Sequence, residues 1–314
     1  MTVVATKINN EEIYLDSPAF MVMECEEDVP ADMLTLVFFT DKKLDEFKYI
    51  KLYHDENLIF NGIVDNQIFT LDENGKYVKL NVRSMAGLLL DNEAMPQVYN
   101  LPSITTIFNR HIKPYGFLGL IGADSTTAKE YTVLKGMSEW EALYKFCTEI
   151  LNTVPIVTPE NYIDIRKNKF DLNLPLKISS KGKHYCYSYS LEENINRYNQ
   201  VSHVYVRVKN EGLYSEVLED EDALKRGIQR KRYLNLVGDS NPTLSNGEAK
   251  ISSFKKQSYK IKLKVDGYVD AKVGMQVELD DDDLGQLKNL VISKIKYKLN
   301  SSKDVTEITL RREK

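Results

Sequence analysis

The residues able to do chemistry are few and scattered. Asp280, Asp281, Asp282 and Asp283 form an unbroken acidic run, a set of oxygen ligands that would suit calcium. The run lacks the alternating ligands, central glycine and distant glutamate of an EF-hand loop, and it joins two predicted strands. It reads as a solvated turn. Four histidines are present: His54, His111, His184 and His203. None has a second histidine or a carboxylate at the helical spacing of a zinc enzyme. His184 and Cys186 fall on one side of a short predicted strand, without a third ligand near them in sequence. All four histidines read as structural.

Nucleophiles and paired carboxylates fare no better. Cys147 with a distant histidine would imitate a cysteine peptidase, yet it lies mid-stripe on a predicted helix, where a free cysteine acts as a small apolar residue. Glu139, Glu141 and Glu149 would offer carboxylates for glycoside cleavage. Glu141 is accounted for by helix capping and the other two by a solvated face. No glycine-rich loop follows a strand and opens a helix, so nucleotide hydrolysis has no support. The best basic patch is KRGIQRKRY (225–233). Acidic residues immediately precede it, and it reads as protein-facing or solvated rather than as a nucleic-acid site. No catalytic residue, metal ligand or cofactor is expected.

The chain that must position these residues is ordinary in bulk. Its 314 residues suggest two or three modules, and 42% hydrophobic with 28% charged residues fits a globular protein. A formal charge of -4 argues against a general nucleic-acid binder, though not against a local basic patch. Cys25, Cys147 and Cys186 stand far apart and are expected to be reduced thiols in a cytoplasmic setting. The start, MTVVATKINNEEIYLD, lacks the basic head and apolar core of a signal peptide. No apolar stretch approaches the ~20 residues that span a bilayer, so no stable membrane insertion is expected.

Local patterns divide the chain. Through residue 95 it reads as β, in MLTLVFFT (33–40), IKLYH (50–54), LIFNGIVDNQIFTL (58–71) and YVKLNVR (77–83). DENGK (72–76) supplies a hairpin turn through Asn74 and Gly75, and Gly62 marks a bulge or bend. Val78, Leu80 and Val82 alternate with Lys79, Asn81 and Arg83, the period of a half-buried strand. The strand runs into RSMAGLLLDNEA, an apolar corner in which Leu88, Leu89 and Leu90 bury and Asp91 and Asn92 release the chain. Residues 96 to 180 read as α/β. Ser103 caps a helix carrying Ile104, Ile107, Phe108 and His111 on one face, ended by Pro114 and Gly116. Ser138 and Glu141 form a capping box before a stripe of Trp140, Leu143, Tyr144, Cys147 and Leu151. Beyond Ser180 the chain returns to β, with Val204, Val206 and Val208 on one strand. EDEDALKRGIQRKRY (219–233) is expected as a charged helix or loop.

An internal similarity crosses these segments. A constant offset of 228 carries Ile63 and Val64 onto Val291 and Ile292, Phe69 onto Tyr297, Leu71 onto Leu299 and Arg83 onto Arg311. Each member is a long strand, a short polar turn and an alternating strand. The expected fold class is α+β, mainly β: two similar β-barrel-like modules with a small α/β insert between them. The modules are placed at 1–95, completed by 196–215, and at 216–314, with the insert at 96–185.

The order of segments resembles the baseplate-hub proteins of contractile phage tails, the late-control D type and its relatives in phage Mu and in tail-like bacteriocins. The resemblance rests on residues 50–83 flowing into RSMAGLLLDNEA, on LPSITTIFNRHIKPYGF, on MSEWEALYKFCTEILNTVPIVTPENYIDIRK, on NRYNQVSHVYVRV, and on VGMQVEL…LGQLKNLVISKIKYKL…VTEITLRR. It covers most of residues 30–314 and includes no evident lytic domain. It implies a homotrimeric ring that adapts a hexameric tail tube to a trimeric spike, with other baseplate proteins as further partners. It also implies assembly in the host bacterial cytoplasm and residence in the particle's tail. In that picture Lys79, Arg83, Arg311 and the four aspartates are candidate interface residues, and Leu88, Leu89, Leu90, Trp140, Leu143 and Cys147 are structural core. The acidic run would face a partner or the tube lumen, where its charge would repel DNA. Two alternatives stay open: a peptidoglycan-cleaving tail enzyme, and a hub-like or carbohydrate-binding tail protein of a non-contractile phage.

Overall fold

The computed structural model describes all residues except 28, 74, 123–124, 168, 171–173, 181–184, 208–213, 235–242, 301–302 and 314, and gives the backbone alone for 185–190, 243–246 and 249. The expectations for Asn74, His184, Val208 and the Cys186 side chain lie outside the described residues. The chain is mainly β and divides into two compact units, Met1–Asn173 with Lys294–Thr306, and Leu174–Ser293 with Glu307–Lys314.

In the first unit the strands Phe20–Glu26, Val29–Phe39, Gly75–Ser84, Asn57–Asp72, Phe47–His54, Thr2–Lys7 and Glu12–Leu15 lie side by side in that order. Residues 294–300 pair with the outer side of Phe20–Glu26. Every one of these pairings is antiparallel. Strand alternation sets the core: Met21, Leu34, Leu36, Ile50, Leu52, Val78, Leu80 and Val82 all point to one buried face. A second layer follows Ser84. A short helix, Ala86–Asp91, leads to the strand Gln97–Asn100. A helix Ile104–Ile107 continues as a π turn, Phe108–Ile112, and a 3-10 turn, Lys113–Tyr115. Gly116 then closes it in the left-handed conformation, φ 86°. The helix Glu139–Phe146 likewise runs into a π turn, Cys147–Leu151. Leu89, Ile104, Ile107, Phe108, Trp140, Leu143, Phe146 and Cys147 form the core of this layer, with Leu88 and Leu90 half-buried against it. Tyr144, expected on the buried stripe, is exposed.

The second unit has a sheet containing Leu176–Ser179, Tyr185–Ile195, Tyr259–Asp266 and Gln276–Asp281. Leu176–Ser179 pairs parallel with both Tyr185–Ile195 and Gln276–Asp281. A separate three-stranded sheet orders Glu216–Glu219, His203–Val206 and Lys231–Leu234. The helix Thr243–Ser258 covers one side of it, where Val204 and Val206 pack with Ile251 and Phe254. The charged segment 219–233 resolves into a five-residue helix, Glu221–Lys225, capped by Asp220, then a turn at Gly227 (φ 70°) and a strand.

Two matching barrels were expected, and the sheets do not form them. Among the described residues the first unit's strands lie in an open order that ends on the four-residue edge Glu12–Leu15. The second unit's sheet includes parallel pairings, which the antiparallel strands of the first sheet do not. The internal similarity survives at the level of elements. The strands Asn57–Asp72 and Gly285–Asn300 begin and end 228 residues apart, and each is followed by an antiparallel-patterned strand, Gly75–Ser84 or Asp304–Arg312.

Candidate assembly interface

The face of the first sheet opposite its core is the most unusual surface of the unit. Register places Phe20, Val37, Lys79 and Ile68 in one row across four strands, and Phe39, Tyr77 and Thr70 in the next. Residues directly opposite on neighbouring strands share a face. Phe20, Phe39 and Ile68 are exposed, Phe39 by 67%, and Met33 farther along the same face by 55%. Lys79 stands half-buried among them. The other end of this face is occupied: Tyr49 and Ile63 pack against the helical layer. One end of the face is therefore roofed and the other bare. Exposed apolar patches of this kind mark association surfaces.

Arg83 ends the same strand. Its Nε lies 2.5 Å from Asp65 Oδ2 and its Nη2 2.6 Å from Asp91 Oδ2, with further bonds to both carboxylates at 2.9 and 3.0 Å. The two hydrogen-bonded acids hold the guanidinium above its usual range, and Arg83 holds Asp91 below the ordinary carboxylate range. Asp91 closes the helix Ala86–Asp91, so Arg83 ties the strand's end to the corner that follows it. Its counterpart in the offset, Arg311, is largely buried in the second unit and donates to the Arg312 carbonyl (3.3 Å). The position matching Asp65 is Ser293, whose hydroxyl donates to the Thr309 carbonyl instead. The repeat keeps the arginine and puts a serine in place of the aspartate.

Asp280 and Asp281 end the strand Gln276–Asp281, Asp280 paired with Ser179 and Gln286, and Asp282 and Asp283 lie in the turn before Gly285–Asn300. Asp281 Oδ1 accepts from the amides of Asp283 (3.0 Å) and Leu284 (2.8 Å), an Asx-type closure. Gly285 takes φ 69° to complete it. Among the described residues no cluster of three potential ligands is arranged to hold a metal ion, and no helix is long and apolar enough to cross a membrane.

Sequence reasoning placed Glu139 on a solvated face; the structure corrects this. Glu139 is buried, with Oε2 2.5 Å from His111 Nδ1 and Oε1 accepting from Tyr115 (3.1 Å). His111 Nε2 lies 2.8 Å from the Tyr99 hydroxyl. The signal was available in outline: His111 falls on an apolar helical face, and a buried histidine needs partners. Nothing local to Glu139 announced that it would be one of them. Each member of the network is committed to another, so the group is a structural tie between the two helices. Cys147 is a protonated thiol at neutral pH, because burial pushes it up to about 12. A thiol held so high is a poor nucleophile.

Burial also pushes the Asp32 carboxyl up to about 6, partly offset by a hydrogen bond from Cys25. The folded state therefore favours protonated Asp32, and its contribution is full below about pH 4 and is lost as pH rises through about 6. Asp32→Asn is expected to be about 1–2 kcal/mol more stable than the parent at pH 7 and indistinguishable from it near pH 4. Urea unfolding at both values measures the difference.

The chain has the fold of solved phage tail proteins. The tail protein from Neisseria meningitidis MC58 aligns over 99% of this chain and 97% of its own at 15% identity and a TM-score of 0.81. The 43 kDa tail protein of prophage MuSo2 from Shewanella oneidensis aligns over 99% and 98% at 14% identity and a TM-score of 0.79. A lidded PdpA–VgrG complex from Francisella aligns at 12% identity and a TM-score of 0.60, over 99% of this chain and 52% of that one. No protein-family model matches the chain, and no curated protein matches it by sequence.

Proposed function

We propose that this protein is the structural hub of a phage or phage-like tail baseplate: a homotrimer that joins the tail tube to the spike. The observation that carries the reading is the half-bare sheet face around Lys79, which exposes Phe20, Phe39 and Ile68 on a rigid, well-paired surface. A protein built to stay alone would not leave aromatic and aliphatic side chains in register across four strands. The full-length likeness to two tail proteins supports the setting, and the likeness to a complex containing VgrG supports a spike as partner. The repeated hairpins, offset by 228 residues, fit the step from three subunits to a six-fold tube: a trimer carries six of them.

The test lies at the bare face. Phe39→Glu and Ile68→Glu are expected to weaken self-association at least tenfold in sedimentation velocity, while far-UV circular dichroism stays unchanged. Unaltered association in both variants would remove this face from the assembly.

A further inference from the structure

Two charged motifs remain without a role, the aspartate turn and the basic segment near residue 230, and they complement one another. The basic segment contributes to a cavity of about 290 Å³ in the second unit, lined by Arg197, Gly227, Ile228, Gln229 and Arg230. Both arginines are held in place by uncharged neighbours. Arg197 Nη2 donates to the Arg226 carbonyl (2.7 Å), and the Arg230 guanidinium lies 4.2 Å from the centre of the Tyr198 ring. Arg226 in turn donates to the Gln200 side chain (2.6 Å). Among the described residues neither Arg197 nor Arg230 has a carboxylate partner. The next side chain, Lys231, lies over Tyr205. The cavity is thus an open, cationic surface recess, with Arg197 exposed and Arg230 half-buried, in a chain whose net charge is -4.

The opposite feature is the turn at Asp280–Asp283. Asp280, Asp282 and Asp283 are exposed, and the carboxylates of Asp280 and Asp283 have no cation partner among the described residues. Asp281 is spent on closing the turn, which fixes the loop's shape and presents its neighbours outward. Two arginines without a carboxylate partner and two exposed aspartates without a cation partner, all among the described residues, make a complementary donor and acceptor set.

We infer that the Asp280–Asp283 turn of one subunit docks into the Arg197–Arg230 cavity of a second copy of this chain. The contact joins two different patches, so it is heterologous, the kind of contact that generates a closed ring when the rotation allows. The inference rests on the self-association proposed above and specifies one of its contacts. Charge pairs across an interface set specificity and register, which is what an assembly of fixed stoichiometry requires.

Sedimentation equilibrium of the full chain tests this. Arg197→Glu with Arg230→Glu, and separately Asp280→Arg with Asp283→Arg, are each expected to weaken association at least tenfold. The four substitutions together restore the pairing with reversed sign and are expected to recover most of the loss. Association of the unaltered chain is expected to weaken as salt rises from 0.1 to 0.5 M, which shortens the Debye length roughly twofold. Associated parent protein with unaffected charge-reversed variants, or no recovery on combining them, would overturn the docking and leave the hub reading standing. A parent chain that stays monomeric would overturn both. A second readout covers any variant that folds poorly: Gln229→Cys with Asp283→Cys is expected to give an intermolecular disulfide between those positions by mass spectrometry, and its absence under oxidation counts against the contact.

Discussion

Gly62→Ala is expected to destabilise the first unit by about 3 kcal/mol or more, the upper end of what overpacking costs. Gly62 pairs with Ser84 across the strands Asn57–Asp72 and Gly75–Ser84. A Cβ at this position would come 2.1 Å from the Arg83 carbonyl oxygen and 2.8 Å from the Phe60 ring. The first of these is backbone and cannot swing aside as a side chain can. Relief requires the two strands to separate, and that disturbs the Asn61 carbonyl that accepts from Met85 (3.3 Å) and the corner behind it. Gly87→Ala is the matching control. Its Cβ would meet Arg83 and Ile63 atoms at 3.4 Å, a contact that needs little adjustment. Alanine also favours the helix Ala86–Asp91 by about 0.8–1 kcal/mol over glycine. Thermal melts of the two variants should therefore move apart, Gly62→Ala downward by several degrees and Gly87→Ala hardly at all.

The second large effect is expected at Glu139. Glu139→Ala removes the partner of both His111 and Tyr115 inside the helical layer. Leaving buried polar groups unpaired costs about 1–3 kcal/mol for each neutral group and more for a charged one. A total of about 3 kcal/mol is expected. Glu139→Gln keeps the shape and one acceptor oxygen, and is expected to lose about half as much. Glu141 stands two residues away on the same first turn, accepting from the Ser138 amide at 2.7 Å. Its replacement by alanine costs only a cap, about 1 kcal/mol. Urea midpoints in the order parent, Glu141→Ala, Glu139→Ala would bear out the assignment. Equal midpoints for the two alanine variants would mean that the His111 network contributes nothing beyond capping.

These two sites also mark what a sequence can and cannot reveal. Alternation through Val78, Leu80 and Val82 is a local signal, and it gives a strand with those residues buried. The Ser138–Glu141 capping box is equally local and is present as read. The constant offset of 228 anticipates the bounds of the two long strands because length and turn chemistry travel with the sequence. The apolar corner after Ser84 was legible as a corner, but its helix was not, since six residues give less than two turns of periodicity. Contacts that depend on folding were hidden. Glu139 meets His111 from 28 residues away, and Arg83 meets Asp65 only because the hairpin brings them together. The helix Thr243–Ser258 was missed because Gly247 and its polar run weaken every local indicator. The bare face around Lys79 was half legible: alternation marked which side chains face away from the core, but only strand order shows them aligned across four strands.

The central claim is that this fold works as a homotrimer. The most direct test is the solution mass of the full chain, measured by sedimentation equilibrium over a wide concentration range. The account predicts a species of three times the 36.1 kDa chain mass, lost in Phe39→Glu. A single 36.1 kDa species at every concentration would contradict it.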